Sequence, residues 1–136
     1  MKYRTQDYCR IGLWKKILFF SLAFLVSNTV LAQTSSFSET ERMAKQGDAG
    51  AQYKLGFMYD YGQGVRQDYA QAIYWYRKAA ELGNEKAQYS LGAMYHNGER
   101  VRQDMSIAKE WFGKSCDNGY QSGCDNYRTL NEQGVR

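Results

Sequence analysis

Two stretches of the chain match each other over 36 consecutive positions without a gap. Residues 47–82 align with residues 83–118, and 16 of the aligned positions are identical. Self-similarity at a fixed spacing of this length is typical of repeat proteins, in which each unit buries its apolar face against the next one. The repeat therefore limits the fold to a short array of similar units. A third copy begins at Gly119 and loses its similarity quickly.

Each copy contains two apolar stripes with the spacing of three and four residues that is typical of helices. In the first copy the stripes are Ala51, Leu55, Met58 and Tyr59, and then Ala72, Trp75, Tyr76 and Ala79. Because the second copy repeats the pattern, each unit is predicted to be a pair of antiparallel helices. The chain contains no proline, which agrees with an all-α fold.

The predicted helices have recognisable ends. The predicted stops are Gly62 and Gly98, and the predicted N-caps are Asp48, Asp68, Asn84 and Asp104. Ser38 and Glu41 have the spacing of a capping box for a leading helix. Gly56 and Gly92 lie within the first helices, where glycine costs about 1 kcal/mol relative to alanine. We expect the two helices of a pair to touch at these glycines.

The motifs of the repeat resemble those of a known family. Each copy contains Ala-Gln-Tyr-x-Leu-Gly-x-Met-Tyr, then Gly-x-x-Val-x-x-Asp, then Ala-x-x-Trp followed by Tyr or Phe. This pattern, which covers roughly residues 43–130, resembles the Sel-1-like repeat, a relative of the tetratricopeptide repeat. The resemblance implies an α/α right-handed superhelical solenoid of about two and a half helix-turn-helix repeats. It also implies a scaffold that binds another protein.

One loop departs from the pattern of the family. The first copy has the usual Gly-x-Gly-Val, with Gly64 as its second glycine, but the second copy has Arg100 at that position. If the backbone there requires a positive φ, Arg100 carries strain of roughly 1 kcal/mol or more. A rearranged loop is the alternative.

The first 32 residues have the pattern of an export signal. A basic start precedes an apolar run over residues 17–26, which is too short to cross a bilayer because a spanning helix needs about 20 residues. We predict a signal peptide over residues 1–32, with an uncleaved membrane anchor as the alternative. The other predicted segments are a lead-in and capping helix (33–46), two repeats (47–82 and 83–118) and a partial C-terminal repeat (119–136).

The predicted signal segment accounts for the net positive charge of the chain. It contains five of the 18 basic residues and one of the 14 acidic residues, so thirteen of each remain. Nucleic-acid and anionic-membrane binding need a concentrated basic surface, which this balance does not predict. We expect a periplasmic or secreted protein without stable membrane insertion after signal cleavage.

Cys116 and Cys124 are the only cysteines outside the predicted signal segment, which contains Cys9. Zinc would need two further ligands, and a redox centre usually has two residues between its cysteines. An exported protein with one cysteine pair most simply forms a disulfide. The resemblance supports this interpretation, because a pair with this spacing forms a disulfide within a helical hairpin in the cysteine-rich branch of the Sel-1-like family.

Positions that differ between the copies are candidates for recognition, because identical positions make the same contacts between units. In tetratricopeptide-like arrays the first helices line a concave groove, so the resemblance places their variable face there. The candidate protein-binding residues are Phe57, Asp60, Tyr61, His96 and Asn97 on this face, together with Tyr53 and Tyr89, which are identical in the two copies and border it. Phe57 and Tyr61 lead this set, since exposed aromatic side chains often anchor interfaces. Tyr69 and Tyr74 are weaker candidates on the outer surface.

Binding is favoured over catalysis as the function. His96 is the only histidine, so neither a metal site nor a cofactor site is predicted. The expected partner is another protein in the cell envelope, and so short an array could also form a homodimer. The alternatives are an immunity or inhibitor protein against an envelope-acting toxin and, less favoured, a hydrolase, since cysteine-rich relatives have been described as β-lactamases or penicillin binders.

Overall fold

The structure, a computed structural model, describes residues 36–136. The predicted signal peptide over residues 1–32 lies outside the described residues. The described part consists of six helices and contains no strand, so the predicted all-α repeat fold is confirmed. The helices are α1 (36–45), α2 (Ala49–Tyr61), α3 (Tyr69–Glu81), α4 (Glu85–Asn97), α5 (Met105–Asp117) and α6 (Gln121–Glu132). None of them combines the length and the apolar character that crossing a bilayer requires.

The helices of the two repeats begin and end where the sequence predicts. The four predicted N-cap side chains each accept a hydrogen bond from the backbone N–H three residues later, at distances between 2.6 and 3.0 Å. Gly62 and Gly98 end α2 and α4 in the left-handed conformation, with φ of 66° and 71°. These side-chain caps satisfy backbone groups that have no partner within the helix, which makes the boundaries unambiguous.

The predicted capping box at Ser38 is wrong. Residues 36 and 37 are already helical, so Ser38 lies within α1 rather than at its start. Phe37 packs edge-on against Tyr59 of α2, with 5.7 Å between the ring centroids, and the hydroxyl of Thr40 donates to the carbonyl of Ser36. Packing against α2 therefore extends the helix beyond the point that the local sequence indicated.

The two helices of each repeat touch at the predicted glycines. A Cβ atom on Gly56 would lie 2.8 Å from the ring of Tyr76, and one on Gly92 would lie 2.6 Å from the ring of Phe112. Real Cβ atoms do not approach other atoms so closely, so only glycine permits α2 to lie against α3 and α4 against α5 at this distance. The interior between the helices is apolar, with Leu55 and Leu91 buried at its centre.

A buried glutamine links each repeat to the helix before it. The side-chain amide of Gln52 donates to the carbonyl of Ala44, and that of Gln88 donates to the carbonyl of Ala80, at 3.1 and 3.0 Å. Both glutamines occupy the same place in their copies, so the same contact holds α2 to α1 and α4 to α3. Both carbonyls also accept a backbone N–H, from Gly47 and Gly83 respectively, so each glutamine amide is a second donor that ties one helix to the next.

The last hairpin is closed by a covalent bond. The sulfur atoms of Cys116 in α5 and Cys124 in α6 lie 2.00 Å apart, which is the distance of a disulfide, and the Cα atoms lie 4.5 Å apart. Gly123 is next to the bond, and a Cβ atom there would lie 2.7 Å from the hydroxyl of Ser115. The small glycine thus lets α6 approach α5 closely enough for the two cysteines to meet.

Candidate functional site

A cavity lies between the first helices of the two repeats. It has a volume of about 210 Å³, and its lining comes from α2, α3, α4 and the loop after α4. Five of the seven predicted protein-binding residues line it, namely Tyr53, Phe57, Asp60, Tyr61 and Tyr89. We call this feature the groove cavity.

The other two predicted residues lie elsewhere. His96 lines a second and much smaller cavity of about 40 Å³ with Phe112 and three residues of α6. Asn97 is exposed at the end of α4, and its side-chain oxygen lies 2.9 Å from Nδ1 of His96. The structure therefore divides the predicted set into a main group around the groove cavity and a pair beside α6.

Aromatic rings form much of the wall of the groove cavity. The rings of Phe57 and Tyr61 lie 4.4 Å apart between centroids, and those of Tyr53 and Tyr76 lie 5.7 Å apart. Phe57 is half-buried and packs against the core, whereas Tyr61 is 59% exposed. Tyr61 is thus accessible to a partner, and the half-buried ring of Phe57 packs against it.

A buried ion pair closes one end of the groove cavity. The side chain of Asp60, near the end of α2, is only 4% exposed, and its Oδ1 lies 2.9 Å from Nε of Arg100. The N–H of Arg100 is not aligned with this oxygen, and Oδ1 accepts no hydrogen bond from any part of residues 36–136. The contact is therefore an ion pair between the repeats rather than a fully formed hydrogen bond.

Arg100 has the left-handed backbone conformation that the second glycine of Gly-x-Gly-Val has in the first copy. Its φ is 64°, close to the 71° of Gly64 at the corresponding place in the first copy, so the loop is strained rather than rearranged. The guanidinium lies over the ring of Tyr69, with Cζ 4.5 Å from the ring centroid, and its Nη1 lies 3.5 Å from Glu99. Favourable contacts on two sides of the side chain offset the strain of its backbone.

The sequence did not indicate two parts of this arrangement. Tyr76 was expected only in the core, yet its side chain also reaches the groove cavity and interacts with Asp60. Arg100 was recognised as an unusual residue for its loop, but its ion pair with Asp60 joins positions 40 residues apart. Both residues differ from their counterparts in the other copy, since Tyr76 corresponds to Phe112 and Arg100 to Gly64. These differences were the sequence features that could have marked the two residues as candidates for the site.

Burial determines the protonation behaviour of Asp60. It raises the pKa of this carboxyl above its ordinary value, and the attraction of Arg100 and hydrogen bonding from Tyr76 reduce the rise without cancelling it. The folded protein consequently binds the proton of Asp60 more tightly than the unfolded chain does. The contribution of this group to the free energy of unfolding therefore falls as the pH rises through the interval between the two pKa values.

We expect Asp60→Asn to stabilise the fold at neutral pH. The amide keeps the shape of the side chain and removes a buried charge with an imperfect partner, so the free energy of unfolding should rise by about 1 kcal/mol. The gain should shrink near pH 4, because protonated Asp60 already resembles asparagine. Thermal unfolding of both proteins at the two pH values measures the difference, and a larger gain at the lower pH would contradict the prediction.

The chain contains one Ser-x-x-Lys spacing, at Ser106 and Lys109. This is the spacing of the serine nucleophile and lysine in several β-lactamases and penicillin-binding proteins. Ser106 is exposed on the first turn of α5, while the ammonium of Lys109 donates to the carbonyl of Val135 and lies 5.9 Å from the centroid of the Tyr127 ring. The lysine is thus used to hold the C-terminal tail against α5.

Metal ligands do not gather in the described part of the chain. No group of three or more histidine, cysteine, aspartate or glutamate side chains within residues 36–136 could hold a metal ion. The two cysteines that could have acted as ligands are joined to each other. The groove cavity, which five of the seven predicted protein-binding residues line, is the candidate binding site.

The sequence is similar to one family profile and to one curated protein. The profile of the Sel1 repeat matches residues 49–84 and 85–120. These copies begin two residues after the boundaries drawn from the internal alignment and have the same length. A segment of 50 residues is 36% identical to the ERAD-associated E3 ubiquitin-protein ligase component HRD3A of Arabidopsis thaliana. The match covers 36% of this chain and 7% of that protein.

Solved structures with the same fold include three of known sequence similarity. They are c5321, a protective antigen of uropathogenic Escherichia coli with an SLR fold (36% identity, TM-score 0.69), a Sel1 repeat protein of Oxalobacter formigenes (27%, 0.71) and Helicobacter pylori cysteine rich protein B (26%, 0.66). The matches cover 72%, 75% and 74% of this chain, and 21%, 42% and 76% of the respective structures. The chain belongs to the Sel1 repeat family, whose repeats generally form scaffolds for protein–protein interaction.

Proposed function

We propose that this protein is an exported scaffold that binds another protein of the cell envelope through the face formed by α2 and α4. The observation that carries this proposal is the groove cavity, because the two copies differ most where their first helices line it. Tyr61 offers an accessible ring at its rim, and Tyr53 and Tyr89 widen the aromatic surface. Tyrosine-rich surfaces of this kind provide large contact areas with little loss of side-chain freedom on binding.

Export is supported by two independent features. The first 32 residues have the composition of a signal peptide. Cys116 and Cys124 form a disulfide, a bond that persists in oxidising compartments such as the bacterial periplasm or the extracellular space. A periplasmic or secreted location therefore accounts both for the signal pattern of residues 1–32 and for the disulfide near the C-terminus.

Photo-crosslinking in the producing cell tests the binding face. A photoreactive phenylalanine analogue at Tyr61 should form a crosslink to a protein of the envelope, because this ring lies at the accessible rim of the groove cavity. The same analogue at Tyr74, the weaker candidate on the outer surface, is the matched comparison, since Tyr74 is also exposed (50%) but lies on α3 outside the lining of the cavity. A crosslink from Tyr74 alone would place the binding face on the outer surface. Mass spectrometry of the crosslinked species then identifies the partner.

Tyr61→Ala should weaken the crosslinked complex about tenfold or more, since truncating an anchoring tyrosine removes a large desolvated contact. Tyr74→Ala should leave the complex unchanged. Equal crosslinking from both positions, or none from Tyr61, would show that α2 and α4 do not form the binding face. A toxic enzyme as the partner would assign the protein to the immunity or inhibitor role.

A further inference from the structure

The groove cavity contains unequal numbers of acidic and basic side chains. Asp60 and Glu99 contribute two carboxylates to its lining, and Arg100 contributes its one guanidinium. The remaining lining side chains are uncharged, and several of them, such as Tyr53 and Tyr61, are aromatic. Carboxylates and the faces of aromatic rings both attract cations. The lining is therefore complementary to one additional positive charge.

Asp60 also has unused capacity to accept a hydrogen bond. The residue is only 3% exposed, and its Oδ1 accepts no hydrogen bond from the described residues although Arg100 lies beside it. A carboxylate oxygen in such a place normally attracts a donor, because leaving it unpaired costs folding free energy. Oδ1 itself is closed off from solvent, but Asp60 is part of the lining, so a cation in the cavity lies beside its carboxylate.

The fold of the repeat does not require this acidic arrangement. The second copy forms the same helical hairpin with His96 in place of Asp60 and Phe112 in place of Tyr76. The first copy forms the same loop with glycine where the second has Arg100. All three polar groups are thus specific to one place in the array, where they line the groove cavity.

On the basis of the function proposed above, we propose that the groove cavity binds a basic side chain, arginine or lysine, from a segment of the partner lying along α2 and α4. The cation would approach the carboxylates of Asp60 and Glu99, with the rings of Tyr53 and Tyr61 beside it. Arg100 stays at the edge of the site, where Tyr69 holds its guanidinium, and balances the charge of Asp60 when no partner is bound.

Labelled peptide pools test this preference directly. Three pools of short peptides with randomised flanks would carry arginine, citrulline or glutamate at the central position, and fluorescence anisotropy would measure their binding to the protein without its signal segment. Citrulline has nearly the shape of arginine without its charge. We expect the arginine pool to bind about tenfold more tightly than the citrulline pool, because hydrogen bonds to charged groups are the stronger ones. The glutamate pool should bind most weakly.

Asp60→Asn should remove the difference between the arginine and citrulline pools, and Glu99→Gln, at a side chain that is 61% exposed, should reduce it. Glu81→Gln is the matched control, because it removes an exposed carboxylate outside the groove cavity and should leave the preference unchanged. Arg100→Gly should increase the affinity for the arginine pool, since the native competitor for Asp60 is gone. Circular dichroism verifies that each variant is folded at the temperature of the measurement.

The results separate this inference from the broader function. Equal binding of the arginine and citrulline pools, or a preference that survives Asp60→Asn, would overturn the cation site while leaving a protein-binding scaffold in place. Failure of every pool to bind, together with the absence of a crosslink from Tyr61, would overturn both. A preference for glutamate would show that Arg100, rather than Asp60, faces the partner.

Discussion

Replacing Cys116 and Cys124 by serine is expected to lower the melting temperature of the protein by roughly 10–20 °C. The disulfide closes a loop of about nine residues, and closing such a loop stabilises a fold by roughly 2.5 kcal/mol in the chain-entropy model. Each kcal/mol corresponds to about 4–8 °C in a domain of this size. Thermal unfolding followed by circular dichroism measures the change.

The reductant provides the matched control for this experiment. Dithiothreitol should lower the melting temperature of the wild-type protein by a similar amount and should leave the double serine variant unchanged. A melting temperature that is insensitive to both treatments would show that the hairpin of α5 and α6 is held by its noncovalent contacts alone.

The position of the disulfide explains why its loss should be costly. Helix α6 packs on α5, and no further helix packs on its other side within residues 36–136. Its apolar content is small, and Leu130 is its one large buried apolar side chain. Lys109 adds a hydrogen bond to the carbonyl of Val135, and the covalent bond joins the end of α5 to the start of α6.

The local signals in the sequence were sufficient to predict the helices of the two repeats. Asp68 and Asp104 cap helices because their carboxylates meet backbone N–H groups within the same turn, and Gly98 ends α4 because its own φ is positive. Such contacts involve residues close in the chain, and the second copy repeats the evidence of the first. Ser38 shows the limit, since packing of Phe37 on Tyr59 extends α1 past a plausible cap.

The chemistry of the groove cavity could be predicted only in part. Comparing the copies identified five of the eleven residues that line it, because the variable positions on the first helices and the tyrosines that border them share one face. The ion pair between Asp60 and Arg100 could not be predicted, since it depends on how the loop of one repeat lies against the helix of the other. The burial of Asp60 and the separation of His96 from the groove cavity could not be predicted either, because both depend on how the helices pack in three dimensions.

Arg100→Gly should have the second large effect on the free energy of unfolding, because it breaks the ion pair with Asp60. Glycine removes the strain of a positive φ, which by itself would stabilise the loop by roughly 1 kcal/mol. The variant also leaves Asp60 buried without a counter-charge and removes the contact with Tyr69. Breaking a buried ion pair costs about 3–5 kcal/mol, and less where one partner is partly exposed, as Arg100 is at 22%. We therefore expect a net loss of about 2 kcal/mol, measured by urea unfolding at neutral pH.

A double-mutant cycle with Asp60→Asn separates the two contributions. If the unpaired carboxylate causes the loss, Arg100→Gly should be nearly neutral or stabilising in the Asp60→Asn background, because only the relief of strain and the lost stacking on Tyr69 remain. Gly64→Arg is the matched control in the first copy, where φ is 71°, and should show the cost of a left-handed arginine on its own. Equal losses in both backgrounds would mean that Arg100 stabilises the protein through Tyr69 rather than Asp60. Recovery in the double variant would identify Asp60 and Arg100 as the electrostatic link between the two repeats.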